Sequence, residues 1–84
     1  MLSSLQEKMR LLGFGVRISD EDKSLVVSFT IRDMSEADDY LKMIKTVMAE
    51  CGVSSLFYRS KLGARLLNDK IEVELYIPLK PLTA

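Results

Sequence analysis

Arg59, Lys61 and Arg65 fall in a stretch between Glu50 and Asp69 that holds no acidic residue. Phe57 and Tyr58 stand just before them. Cations free of competing acid neutralise phosphates or carboxylates, and neighbouring aromatic rings stack on bases. The pattern therefore fits an arm that grips a nucleic-acid backbone or an acidic protein surface. Three cations make a salt-sensitive grip at best. The same residues also describe a solvated hairpin arm, with Leu66 and Leu67 tucked onto a core or forming a short extra strand.

The remaining residues that could do chemistry point away from catalysis. The sequence has no histidine, so it lacks the commonest general base and the commonest metal ligand. The single cysteine, Cys51, closes a helical stretch, where the helix dipole disfavours a thiolate, and it reads as a small apolar residue. Asp33, Glu36, Asp38 and Asp39 could offer carboxylates to a divalent cation, but their spacing fits no EF-hand loop. They suit the positive end of a helix instead. Asp20-Glu21-Asp22 reads as a polar turn. Glu72 and Glu74 would share one side of a strand, about 7 Å apart from the two-residue rise, and solvated strand carboxylates explain them. Gly13 and Gly15 lack the rest of a phosphate-cradling loop. The methionines Met9, Met34, Met43 and Met48 read mainly as gap-filling core, with a methionine-rich recognition surface as the sharper reading. No catalytic residue, cofactor or metal is expected.

Two halves of the chain echo each other, and the echo predicts the elements that carry these residues. Leu11-Leu12-Gly13-Phe14 and Glu50-Cys51-Gly52-Val53 each close an apolar-periodic stretch. Asp22-Lys23 and Asp69-Lys70 each open an alternating run. Leu2, Leu5, Met9 and Leu12 lie on one helical stripe, with Ser3 or Ser4 as its cap. Phe14, Val16 and Ile18 alternate with Gly15, Arg17 and Ser19, and Leu25, Val27, Phe29 and Ile31 alternate with Val26, Ser28, Thr30 and Arg32, which predicts a hairpin. Ser35 starts a second helix, with Ser35 and Asp38 approximating a capping box, whose stripe is Ala37, Tyr40, Leu41, Ile44, Val47, Met48 and Cys51. Val53 to Arg59 is expected as a third strand whose inward face the sequence leaves open. Ile71, Val73, Leu75 and Ile77 form the last strand, with Pro78 and Pro81 ending the pairing.

The expected fold class is α+β. It is an α-β-β-α-β-β pseudo-repeat with half-repeats at about 1–34 and 35–84. A four-stranded, mainly antiparallel sheet carries two helices on one face. The other face would show Arg17, Val26, Ser28, Thr30, Arg32, Glu72, Glu74 and Tyr76, with either Leu56 and Tyr58 or their neighbours.

The 84 residues are 48% apolar and carry twelve basic against twelve acidic side chains. A chain with no net charge lacks the self-repulsion that keeps copies apart, and so small a domain leaves apolar surface over. No apolar run reaches the roughly 20 residues of a membrane span, and no basic region precedes an apolar core at the N-terminus. A cytoplasmic protein without a membrane partner is expected. The sequence thus predicts a small non-catalytic protein-interaction module. It would self-associate as a homodimer through an open sheet face or a strand edge, or bind another protein. Tyr58, Arg59, Lys61, Arg65 and Tyr76 would touch the partner. The alternative is a small regulatory nucleic-acid binder using the basic arm 59–65. An enzyme working with carboxylates alone is the third and weakest reading.

Overall fold

Two glycines set the places where helix gives way to the next element. Gly13 and Gly52 have φ of +92° and +75°, a left-handed conformation that costs a glycine nothing. At both sites the helix end is satisfied in the same way. The Phe14 N–H donates to the Met9 carbonyl at 3.1 Å and the Gly13 N–H to that of Arg10 at 3.0 Å; Val53 donates to Met48 at 2.9 Å and Gly52 to Ala49 at 3.0 Å. These are paired Schellman caps. The two halves of the chain share them down to the hydrogen-bond pattern.

The computed structural model describes residues 2–79. Its elements are α1 (Leu2–Leu11), β1 (Gly15–Ser19), β2 (Ser24–Ile31), α2 (Ala37–Glu50), α3 (Ser54–Tyr58), β3 (Lys61–Leu67) and β4 (Lys70–Pro78), with a 3-10 turn at Met34–Glu36 before α2. The four strands form one antiparallel sheet in the order β1-β2-β4-β3. The central pair registers Leu25 on Ile77, Val27 on Leu75, Phe29 on Val73 and Ile31 on Ile71. This side of the sheet meets Leu5 and Met9 of α1 and Ile44, Val47 and Met48 of α2 in one apolar core. The α+β class, and the helices on one sheet face, are as the periodicities predict. Phe14, Phe29 and Tyr40 lock the centre: Phe29 stacks on Tyr40 at 4.9 Å between centroids, and Phe14 meets both rings edge-on.

Several expectations are corrected. Val53 to Arg59 is not a strand. Residues 54–58 form helix α3, with Val53 and Leu56 buried and Phe57 partly so. That is an i, i+3, i+4 spacing, which explains why no alternating face could be found there. The third strand is β3, inside the stretch 59–68 that sequence reading gives as an arm or a short extra strand. The capping box at the second helix belongs to Asp33 and Glu36 rather than Ser35 and Asp38. The Ser35 N–H donates to Asp33 Oδ1 at 3.0 Å, and the Asp33 and Arg32 N–H groups both donate to Glu36 Oε2 at 2.9 Å. Ser3 and Ser4 lie inside the first turn of α1 rather than capping it. Ile18 was expected in the core but is 47% exposed, on the short edge strand β1. Pro78 is the last paired residue of β4, opposite Ser24, and Pro81 lies outside the described residues.

Candidate functional site

The sheet face turned away from the helices is polar and internally paired. Arg17 on β1 reaches Glu74 on β4, with Nη2 at 3.2 Å from Oε2. The Tyr76 hydroxyl donates to the other oxygen of Glu74 at 3.0 Å. Arg65 on β3 pairs with Glu72 at 2.7 Å. Val26 lies opposite both Arg17 and Tyr76 and is 0% exposed. An apolar residue on the open face is thus already covered. Long side chains with apolar stems cover such a position well.

This network shifts its members. The hydrogen bond from Tyr76 to Glu74 is the largest cause raising the phenol above its ordinary 10.0, and the bond to Glu74 likewise raises the Arg17 guanidinium. A raised phenol favours the neutral form in the folded chain. Its contribution to stability is therefore complete below pH 10.0 and is lost as pH rises through the higher folded value. Replacing Glu74 by alanine removes that acceptor and leaves Arg17 nearby, so the phenol midpoint is expected to fall toward or below 10.0. Ultraviolet titration of Tyr76 in a Tyr40→Phe, Tyr58→Phe background reads this directly; an unmoved midpoint would mean that the network does not hold the hydroxyl.

The five residues singled out as partner-contacting separate into three places. Arg59, Lys61 and Tyr76 converge on a cleft of about 460 Å³ at one end of the open face, whose lining also includes Asp22, Ser24, Leu62, Gly63 and Pro78. Arg65 stands apart, engaged by Glu72. Tyr58 ends α3, 70% exposed, with the Lys45 ammonium 4.9 Å from its ring centroid. The basic arm is therefore not one basic surface. One cation is neutralised, two share a cleft with a carboxylate, and the exposed ring is already covered on one face by a cation.

The side chains that stand out were not the ones expected. Leu62 and Leu66 register on Leu75 and Ile71, which places them on the helix-bearing side of the sheet. Yet they are 52% and 75% exposed. Neither α2 nor α3 covers them. Ala64 between them is exposed too, and so is most of the strand. The signal was legible: Leu62, Ala64 and Leu66 alternate with Lys61, Gly63, Arg65 and Leu67.

Among the described residues no group of three or more His, Cys, Asp or Glu side chains is placed to hold a metal ion, and no helix is long and apolar enough to cross a membrane. Cys51 is a half-buried free thiol. Comparisons with protein-family models, curated proteins and solved structures find no match for the chain.

Proposed function

We propose that this chain is a small non-catalytic protein-interaction module that self-associates through a strand edge. The observation that carries the reading is the apolar flank of β3. Leu62 and Leu66 are more than half exposed beside a core in which Leu25, Val27, Phe29, Ile31, Val73, Leu75 and Ile77 of the central strands are buried. Exposed leucines along a seven-residue edge strand that is unpaired on its outer side among the described residues are a liability for a chain that stays alone, since such an edge offers free N–H and C=O groups beside apolar side chains. The formal charge of zero adds no repulsion between copies. Between the two surfaces sequence reading offered, the edge is the better candidate, because Arg17, Glu74 and Tyr76 already close the open face over Val26.

Sedimentation equilibrium tests this. A species heavier than the 9.5 kDa chain is expected at roughly tens of micromolar, the range suited to an interface at the small end of the scale. Because the contact is apolar, raising the salt should leave it in place. A strict monomer, even at millimolar concentration, would overturn the reading. Nucleic-acid binding near physiological salt, lost when Arg59, Lys61 and Arg65 are all changed to alanine, would put the basic arm in its place.

A further inference from the structure

We infer that the occupant of the β3 edge is the β3 edge of a second copy, running antiparallel about a two-fold axis at Ala64, so that two four-stranded sheets become one of eight strands. The inference rests on the self-association proposed above and adds its geometry.

The backbone fixes which residues can pair. Leu67 and Lys70 are partners across the two-residue connection between β3 and β4. They are therefore the mutually hydrogen-bonded pair that closes the hairpin, and hydrogen-bonded and non-bonded pairs alternate from there. Lys61, Gly63, Arg65 and Leu67 turn their N–H and C=O groups toward β4. Leu62, Ala64 and Leu66 turn theirs to the free side. A two-fold axis through a residue of the strand is the symmetric solution in which free groups meet free groups. With the axis at Ala64, Ala64 meets its own copy and Leu62 meets Leu66 twice, so three pairs exchange hydrogen bonds.

The side chains choose among the axes. Leu62-x-Ala64-x-Leu66 is a palindrome of apolar residues, and in this register it forms one unbroken apolar band across the junction. On the opposite face Arg65 stands beside the partner's Gly63, and Lys61 beside the partner's Leu67. No cation faces a cation. An axis at Gly63 would set Lys61 against Arg65, an axis at Arg65 would set that residue against itself, and an axis at Leu62 would overlap only residues 61–63 of the two strands. Like charges directly opposite destabilise a strand pair. The other free edge, β1, is only five residues long and ends in a buried serine, so it offers less. An isologous contact of this kind closes on itself and stops at two copies.

The test uses the full chain in a Cys51→Ala background, with spin labels at single introduced cysteines. Labels at Lys61 and at Leu67 should each report an inter-chain separation of roughly 20 Å, six residues of strand, and the two should be equal. Moving the axis by one residue makes them unequal by about four residues of rise, roughly 14 Å. Ala64→Pro should leave the intrachain ladder intact, because that N–H faces outward, and should reduce the heavier species to the 9.5 kDa chain. Equal distances together with that loss establish the register. A dimer that persists in Ala64→Pro, or one with unequal distances, overturns this inference and leaves self-association standing. A monomer throughout overturns both. Should Ala64→Pro fail to fold, the label distances decide alone.

Discussion

Phe29→Ala is expected to be the most damaging truncation in the core, with a loss of about 3–5 kcal/mol. Phe29 sits on β2, flanked by β1 and β4, and is 8% exposed. Its ring lies 4.9 Å from that of Tyr40 at an interplanar angle of 24°, and 5.9 Å from Phe14 at 66°. Removing it leaves a cavity and ends two aromatic contacts, each worth about 0.5–1.5 kcal/mol beyond area burial. A domain of this length holds roughly 4–13 kcal/mol in total. The variant should therefore lose a large share of its stability, with a melting temperature lower by roughly 12 °C or more. Urea denaturation followed by circular dichroism at one fixed protein concentration measures it, since self-association would otherwise add a concentration dependence. A loss below about 1 kcal/mol would mean that the three rings do not form one packed unit.

Much of this core was legible before any coordinates, and the part that was not has a physical cause. The alternation of Leu25, Val27, Phe29 and Ile31 marks a strand with one buried face, as does that of Ile71, Val73, Leu75 and Ile77, but that these two strands are neighbours, and in which register, is not legible, because every two-residue shift keeps the apolar faces matched. The stripe of α2 and the glycine at its end were equally plain. The error lay just past Gly52. After the same cap, Phe14 leads straight into β1, whereas Val53 leads into α3. The internal echo argued for a strand in both places. Local chemistry decided otherwise: Val53, Leu56 and Phe57 fall on one helical face, and five residues give too little periodicity to separate a helical turn from a strand. The candidate surface was missed for a related reason. Charge made Arg59, Lys61 and Arg65 conspicuous, but what matters to a basic arm is which cations stay unpaired. Glu72 takes Arg65 only because β3 and β4 pair in one particular register.

Leu56 and Leu66 make the sharpest contrast, because a sequence gives little reason to treat two leucines ten positions apart differently. Leu56, on α3, is 4% exposed, and its carbonyl accepts from the Ser60 hydroxyl at 2.7 Å. Leu56→Asp puts a carboxylate into the apolar core, and adds the lost apolar burial to the cost of desolvating a charge. A loss well above about 3 kcal/mol is expected, enough to unfold much of the population. Leu66 is 75% exposed. Leu66→Asp should change the stability of the single chain by no more than about 0.5 kcal/mol. At the two-fold junction the same carboxylate would face the partner's Leu62 in the middle of an apolar band. There it should shift the equilibrium to the 9.5 kDa chain. Denaturation at a concentration low enough to hold both variants dissociated separates the two effects, and sedimentation equilibrium reads the second. If Leu66→Asp unfolded the isolated chain, the β3 flank would belong to the core of the monomer. If Leu56→Asp were tolerated, α3 would be no part of that core. The expected pattern, a folding defect at one leucine and an association defect at the other, follows from a single structural fact: the helices do not cover the edge strand β3, which carries exposed apolar side chains on the helix-bearing side of the sheet.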